Sequence, residues 1–429
     1  MSLVAFLIAM GSTLFLLALL PFCAVGINFK NNACHSFGMY HLAPFSSKCY
    51  YNPDVLSTVP VMTERHDYDQ ETHSAITDDG YILNVFRITS KNQKPTKSPV
   101  FVQHGIATNS GPWVDIGNRS LAFRLADEGY DVWLGNVRGS TYSNAHEELN
   151  VNIPKYWEFN LDTIAQKDIK TQLQLVADQT GRAGDIIYIG HSMGTTLGFM
   201  HASENPGKKQ GLIKGLIALA PIVYLDGITV LELATPIGIP ILDILGILQI
   251  KGLLYQEELI HRFLTGFCKT VSPGVCFLLI NVAFGKTVQF QAEDLLLYYS
   301  YWPSGISIYQ LKQYLQIVRS KRFQKFDYGS KKNMEIYGQA KPPKYDLSKI
   351  DIPVRLFYGK SDSLYKQKNT DRLFGEIGSD NKEQYPTPSD ITGEDFDHID
   401  FMYSKNMEKN LYKMLFEVLD SEFGENSVN

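Results

Sequence analysis

The segment from Asp185 to Met200 reads DIIYIGHSMGTTLGFM, with one serine between two glycines where a strand-like run meets a helical pattern. The run from Ile186 to Ile189 is β-branched and aromatic, which is typical of a buried strand. A nucleophilic serine needs an exposed Oγ, and a tight strand-to-helix turn provides this while straining the backbone. Glycines two positions before and after the serine relieve the crowding. The segment therefore predicts Ser192 as a nucleophile.

Around this turn, the chain alternates strand-like and helix-like segments from about residue 70 onward. Asp79-Gly80 is a hairpin-turn signal between two such runs. Helical spacing is found over residues 120–128 and 164–180, and each of these stretches ends at a glycine. Alternating strands and helices imply a parallel sheet covered on both faces, hence an α/β fold. The predicted core strands are Val100–Gln103, Asp131–Leu134, Ile186–Ile189, Leu216–Leu219 and Val354–Tyr358.

The alternation stops between Ala220 and Ile352, where about 130 residues separate two consecutive core strands. Connections in compact domains are normally only a few residues long. The intervening segment is apolar and helical in pattern, but Glu232, Asp243 and Lys251 leave charge-free runs too short to span a bilayer. We interpret it as an inserted helical cap. The predicted organisation is an N-terminal segment at 27–70, a core at 71–220 and 346–429, and a cap or lid at 221–345.

A serine nucleophile needs a base that a carboxylate orients, and on such a sheet the chain order is serine, acid, histidine. His201 lies too far along the helix after the serine to turn back. His261 falls in the cap, so His398, ahead of the last helix, is the predicted base. Asp362 follows the last predicted strand at its C-terminal end, where parallel sheets carry their chemistry. It is therefore preferred as the acid over Asp351, which precedes that strand.

An oxyanion hole needs two backbone N–H groups. The residue after the nucleophile, Met193, is predicted to supply one, and Ile106, after the strand-ending His104-Gly105, the other. The sequence has no zinc-type Cys/His spacing, phosphate-binding loop or dinucleotide glycine fingerprint, so neither a metal nor a cofactor is predicted. The formal net charge of -5 over 429 residues offers no attraction for nucleic acid.

The first residues form an apolar run from Leu3 to Val25, followed by small residues. We interpret residues 1–26 as a secretory signal peptide. The alternative is an uncleaved membrane anchor, because the run is long enough to span a bilayer. The single Asn-x-Ser/Thr sequence, at Asn118, is a predicted glycosylation site that fits export.

Cleavage would leave four cysteines: Cys34, Cys49, Cys268 and Cys276. An even number in an exported chain suggests two disulfides, and four cysteines allow three pairings. Pairing each cysteine with its neighbour in the sequence is the simplest of the three.

Several further motifs are similar to those of the acid lipase family, which contains gastric and lysosomal acid lipases and many insect lipases. The resemblance runs from about residue 60 to residue 415. It implies an α/β-hydrolase fold, the triad Ser192, Asp362 and His398, a lid within the cap, and fatty-acid esters as substrates. It also fits Cys268 and Cys276 as a cap disulfide. The motifs that carry it are Gly129–Gly139, Gly190–Thr196, Phe326–Gly329, Pro342–Tyr345 and His398–Phe401.

The chain departs from the family pattern at a few positions. Met193 stands where the family usually has glutamine, and Ile106 where it has leucine. Both positions act through backbone N–H groups, so activity is still expected. In the cap, Tyr301-Trp302-Pro303-Ser304-Gly305 replaces the common His-x-Pro-Ala-Gly.

The expected function is that of a secreted or lysosomal lipase. It would hydrolyse triacylglycerols or sterol esters at a lipid–water interface through an acyl-enzyme, with no obligatory protein partner. A carboxylesterase for small soluble esters and a non-catalytic lipid-binding relative are the alternatives. The apolar cap favours the lipase over the soluble esterase, and the complete triad favours it over the non-catalytic relative.

Overall fold

The computed structural model describes residues 31–43, 46–270, 272–388 and 395–423. The predicted signal peptide lies outside the described residues. The strands are β1 (Ala33–Cys34), β2 (Cys49–Tyr50), β3 (Tyr68–Ile76), β4 (Tyr81–Ser90), β5 (Pro99–Gln103), β6 (Asp131–Gly135), β7 (Ala145–His146), β8 (Ile186–His191), β9 (Ile213–Leu219), β10 (Gly252–Leu253), β11 (Ile306–Ser307), β12 (Val354–Tyr358) and β13 (Lys382–Pro386).

The α-helices range from single turns to the 19-residue α7. They are α1 (Val59–Arg65), α2 (Leu121–Asp127), α3 (Leu161–Thr163), α4 (Lys170–Thr180), α5 (Met193–Glu204), α6 (Lys208–Gly211), α7 (Thr229–Ile247), α8 (Glu257–Thr270), α9 (Pro273–Phe284), α10 (Leu295–Tyr301), α11 (Ile308–Ser320), α12 (Ser330–Tyr337), α13 (Gln367–Glu376), α14 (Asp400–Tyr403) and α15 (Lys413–Phe423). A π-helical segment, Ile164–Ile169, joins α3 to α4.

A nine-stranded sheet in the order β13-β12-β9-β8-β5-β6-β4-β3, with β7 added to β4, organises the fold. The strands from β13 to β6 are parallel, whereas β4 runs antiparallel to both β6 and β3. The predicted hairpin between β3 and β4 is confirmed, and Gly80 takes the positive φ of 86° that such a turn requires. The predicted α/β class with a mostly parallel sheet is therefore confirmed.

Every predicted core strand is present, because each is an apolar run that the sheet buries along its whole length. The edge strand β13 was not predicted from the sequence. Its residues, KEQYP, are polar and partly exposed. A strand covered on one side only has no long apolar run, so periodicity does not reveal it.

Between β9 and β12, helices α7 to α12 and the small β10–β11 ladder replace the strand–helix alternation. Helix α7 packs along α11, where Lys312 Nζ lies 2.5 Å from the Asp243 carboxylate. The N-terminal segment packs on these helices: the Phe37 and Phe277 rings are 4.4 Å apart, and the Tyr40 hydroxyl donates to the Ala292 carbonyl at 2.8 Å. The insertion thus contacts the N-terminal segment of the chain.

Helix α7 is, among the described residues, the one unbroken helix long and apolar enough to cross a membrane by length and composition. The two acidic residues in this helix do not bring its hydropathy below that of a membrane span. Prolines at 236 and 240 and the acidic Glu232 and Asp243 lie within the helix. Its outward face leaves Leu233, Ile237 and Ile247 exposed at 70%, 65% and 78%.

Two disulfides join cysteines that are neighbours in the sequence, as in the simplest of the three pairings. Cys34 and Cys49 face each other across β1 and β2. Cys268 and Cys276 link the end of α8 to the start of α9. The second bond closes a short loop. It covalently links two consecutive helices of the cap, α8 and α9.

We predict that the paired substitution Cys268→Ala with Cys276→Ala lowers the free energy of unfolding by about 2–3 kcal/mol, because the short loop loses its covalent constraint. Urea denaturation followed by circular dichroism measures this. Non-reduced peptide mapping of the natural chain should show both local links. Free thiols at Cys268 and Cys276 in the protein isolated without reductant would contradict the prediction.

Candidate active site

The turn between β8 and α5 holds Ser192 at φ 54° and ψ −118°, a conformation that residues with a side chain rarely adopt. A Cβ on Gly190 would lie 2.6 Å from the carbonyl carbon and oxygen of Gly194. A Cβ on Gly194 would lie 2.4 Å from the Gln103 carbonyl oxygen at the end of β5. Neither position has room for a side chain, which is why the motif carries two glycines.

Three side chains from separate loops meet at this turn. His398 Nε2 lies 2.7 Å from Ser192 Oγ, and His398 Nδ1 lies 2.7 Å from Asp362 Oδ2. Asp362 Oδ1 accepts the backbone N–H of Leu364 at 2.7 Å, which orients the carboxylate. All three side chains are buried. The structure thus brings the predicted nucleophile, base and acid into one hydrogen-bonded chain.

The two histidines rejected on sequence grounds lie elsewhere. His201 Nε2 is 3.0 Å from the Gly211 carbonyl oxygen, and His261 Nε2 is 2.9 Å from the Pro303 carbonyl oxygen inside the cap. Burial lowers the pKa of His261 to about 4, so it stays neutral over most of the pH range. Neither is hydrogen-bonded to Ser192 or to Asp362.

The residues predicted to form the oxyanion hole flank the serine. Ile106 lines the pocket next to Ser192. Met193 is the first residue of α5, and the first N–H groups of a helix have no partner within it. The Met193 side chain points away into the core, where its sulfur accepts the Gln310 amide at 3.5 Å.

Asn118, the predicted glycosylation site, is exposed in the turn Gly117–Arg119.

A pocket opens over Ser192 and His398, and its wall is mostly apolar. Phe284, Tyr298 and Trp302 enter it from the inserted helices, so the cap contributes part of the wall. The sequence did not identify these cap residues, because a buried aromatic in an inserted helix gives no local signal of what it faces. The full lining is Gly105, Ile106, Ala107, Thr108, Pro112, His191, Ser192, Phe284, Tyr298, Trp302, His398, Ile399, Met402 and Tyr403.

The C-terminal end of α9 touches the loops of both the acid and the base. The Phe284 carbonyl accepts the N–H groups of Ser363 at 3.1 Å and His398 at 3.4 Å. The Phe284 ring stacks on the His398 ring, with centroids 5.7 Å apart and planes 7° from parallel. A Cβ on Gly285 would lie 2.3 Å from the Ser361 carbonyl oxygen, so this close approach requires glycine.

Two aspartates shape the loop that carries His398. Asp397 Oδ1 accepts the N–H groups of Ile399 and Asp400 at 2.9 Å each, and Asp400 Oδ2 accepts the Asp397 N–H at 2.9 Å. Burial, together with the neighbouring Asp400 charge, raises the pKa of Asp397 well above its usual value. The sequence did not reveal the role of this pair, although aspartate is a common turn residue.

No group of three His, Cys, Asp or Glu side chains is placed to hold a metal ion anywhere in the part of the chain that the structure describes. What the site presents is a serine hydroxyl, an imidazole and a carboxylate in sequence, which is the arrangement for nucleophilic acyl transfer.

Comparison with known proteins identifies the family of the chain. Residues 59–117 match a family described as a partial alpha/beta-hydrolase lipase region, and residues 98–238 match the alpha/beta hydrolase fold. Lipase member K of Homo sapiens is 32% identical over 387 residues, which cover 86% of this chain and 92% of that protein. The chain belongs to the acid lipase family.

Other relatives of this acid lipase support the same assignment. The lysosomal acid lipase/cholesteryl ester hydrolase of Macaca fascicularis is 30% identical over 380 residues, covering 86% of this chain and 92% of that protein. The crystal structure of a putative lipase from Sulfolobus solfataricus shares the fold with a TM-score of 0.55, at 14% identity over 82% of this chain and 94% of its own. The family models and the relatives of 30% identity or more, which are named lipases, make the chain a carboxylic ester hydrolase of the lipase type.

A buried carboxylate fastens the cap of this acid lipase to the core. Glu257, the first residue of α8, accepts hydrogen bonds from Ser304 Oγ at 2.6 Å and Gly305 N at 2.5 Å, both in the cap. Its other oxygen accepts the Thr141 hydroxyl from the core. Burial raises the pKa of Glu257 to about 7, and these hydrogen bonds only partly oppose that rise.

We predict that Glu257 makes the fold less stable as pH rises. Because its folded pKa is raised above the unfolded value, its stabilising contribution is full below about pH 4.5 and is lost as the pH passes 7. The loss is on the order of 3 kcal/mol. The measurement is the free energy of unfolding at pH 5 and at pH 8, from urea titration. In Glu257→Gln, the decrease between these two pH values should be smaller by the contribution of Glu257. The adjacent exposed substitution Glu258→Gln is the matched control, and an unaltered pH dependence in Glu257→Gln would contradict the prediction.

Proposed function

We propose that this acid lipase hydrolyses fatty-acyl esters of neutral lipids, triacylglycerols or sterol esters, through an acyl-enzyme on Ser192. The observation that carries the proposal is the chain Ser192–His398–Asp362, with both links at 2.7 Å. It lies at the base of a mostly apolar pocket. A site that holds apolar chains beside an activated hydroxyl fits esters of long fatty acids.

In the proposed reaction, Ser192 Oγ attacks the ester carbonyl while His398 Nε2 takes the serine proton. Asp362 accepts the Nδ1–H hydrogen bond and stabilises the imidazolium that forms. His398 then gives the proton to the departing alcohol oxygen, which leaves an acyl group on Ser192. Water, activated by the same imidazole, attacks the acyl-enzyme, and the fatty acid departs as Ser192 recovers its proton.

Negative charge develops on the ester carbonyl oxygen in this reaction, and two hydrogen-bond donors are needed to stabilise it. We assign them to the backbone N–H groups of Ile106 and Met193, one in the loop after β5 and the other at the start of α5. The helix N-terminus favours negative charge nearby, which supports this assignment. Because only backbone atoms are used, isoleucine and methionine can replace the leucine and glutamine usual in the family.

The cap is proposed to act as a lid over the site. Phe284, Tyr298 and Trp302 line the pocket from this insertion, and Ser192 itself is buried. The outer faces of α7 and α9 expose further apolar residues, namely Leu233, Ile237, Ile244, Ile247, Val275, Leu278 and Val282. Exposed apolar surface of this extent is typical of a face that meets a membrane or a lipid phase. These features favour a lipase over an esterase for soluble substrates.

The setting is proposed to be extracellular or lysosomal, reached through the secretory pathway. Two disulfides favour an oxidising compartment. The exposed Asn118 is accessible to glycosylation. The relative from Macaca fascicularis is named as a lysosomal enzyme, which supports the same route.

We predict that a fluorophosphonate labels one serine and that Ser192→Ala abolishes both labelling and turnover. His398→Ala and Asp362→Asn should each lower kcat about 10³- to 10⁴-fold. The double variant should be little worse than the slower single variant, because the two residues act as a unit. Labelling that survives Ser192→Ala, or losses that multiply in the double variant, would overturn the assignment. His201→Gln, at a buried histidine on the same helix as the nucleophile, is the control and should keep kcat within about threefold.

We predict that the rate rises abruptly when a partly soluble ester passes its solubility limit, with long-chain esters preferred over acetates. Leu233→Asn with Ile247→Asn should reduce that rise and weaken adsorption to emulsion droplets, while leaving turnover of a dissolved short-chain ester unchanged. Ile76→Asn, at an exposed isoleucine on the sheet edge, is the matched control. Smooth saturation below the limit, with acetate turned over fastest, would instead favour the soluble esterase.

A further inference from the structure

His191, the residue before the nucleophile, forms a hydrogen bond that none of the roles proposed above uses. Its Nε2 lies 2.8 Å from the backbone carbonyl oxygen of His398. The two imidazole rings are 5.0 Å apart between centroids. One side chain of the nucleophile turn is therefore bonded directly to the main chain of the residue that supplies the base.

The direction of this bond follows from its partner. A carbonyl oxygen only accepts, so His191 Nε2 carries the proton and the ring is the Nε2–H tautomer. Burial, with a contribution from the neighbouring His398, lowers the pKa of His191 to about 3. The lowered pKa favours the neutral form of the His191 ring. Its other nitrogen, Nδ1, has no hydrogen-bond partner among the described residues and borders the pocket.

We propose that His191 is a positioning residue, whose Nε2–H holds the loop of His398 against the nucleophile turn so that His398 Nε2 stays within reach of Ser192 Oγ. This inference rests on the proposed triad. The loop reaches the turn from a distant part of the chain, 206 residues beyond Ser192. Because the donor and the nucleophile are adjacent in sequence, any displacement of the turn moves the base with it.

The neutral state of the His191 ring is part of the same positioning role. Acyl transfer makes His398 an imidazolium, and a second cation with its ring centroid 5.0 Å away would oppose that charge. A buried imidazole that stays neutral supplies the donor without this repulsion. A lysine or arginine could also donate to the carbonyl, but it would carry the opposing charge into the site.

A packing role is the competing explanation, since the His191 ring also lies 6.3 Å from the Trp113 ring and 6.4 Å from the Phe401 ring. Two substitutions separate the explanations. His191→Phe keeps the aromatic ring and removes the donor. His191→Gln removes the ring and keeps an amide N–H the same number of bonds from the backbone. A packing role favours phenylalanine, whereas a positioning role favours glutamine.

The experiment measures kcat and KM of the full chain on a dissolved short-chain ester, together with the thermal midpoint. His191→Phe should lower kcat about 10- to 100-fold, because His398 is no longer held in position against Ser192, with KM within twofold. His191→Gln should recover kcat to within about fivefold of the natural chain. If His191→Phe fails to fold, His191→Asn replaces it, because its shorter amide does not reach the carbonyl and should lower kcat similarly.

The matched controls are His201→Phe and His201→Gln. His201 is equally buried and also bonds a backbone carbonyl through Nε2, but that carbonyl belongs to Gly211. Both controls should keep kcat within about threefold. Activity in His191→Phe equal to or above that of His191→Gln would overturn the inference while leaving the triad intact. Turnover that survives Ser192→Ala would instead overturn the proposed function, and the inference with it.

Discussion

The strained backbone of Ser192 is the constraint around which this molecule is built. A φ of 54° in a residue with a side chain carries a free-energy cost of about 1–3 kcal/mol. It persists because the surrounding main chain leaves no alternative: Gly190 and Gly194 approach each other directly, and Gly194 abuts the end of β5. The turn is therefore held by its own two glycines and by the neighbouring strand β5.

The same close packing sets the positions of the other site residues. In a parallel sheet, the C-terminal ends of β5, β8 and β12 lie along one edge. The loop after β5 brings Ile106 to one side of the serine, and the loop after β12 brings Asp362 toward the other. His398 is then held from two directions, by the carboxylate at its Nδ1 and by His191 at its carbonyl oxygen.

The cap is hydrogen-bonded to the loops that carry the acid and the base. The end of α9 accepts hydrogen bonds from the loops of Asp362 and His398, and the Phe284 ring covers the imidazole. Glu257 holds a second point of contact beside Thr141. A movement of the cap that displaced α9 would therefore change the contacts that hold the loops of the base and the acid. In the proposed function, the exposed apolar faces of α7 and α9 are the surfaces that meet the lipid phase.

The sequence alone predicted the class of fold, the core strands, the insertion and the three residues that the structure joins by hydrogen bonds. Each of these rests on local or ordered patterns: apolar runs, glycines around a serine, and a chain order of serine, acid and histidine. The sequence did not reveal β13, the aromatic pocket wall, the contact of Phe284 with both loops, or the bond from His191 to the loop of the base. These depend on which residues meet across the fold, and no rule of chain order links them as it links the serine, the acid and the histidine. Only the tertiary structure decides such contacts, because they arise when separate loops converge on one edge of the sheet.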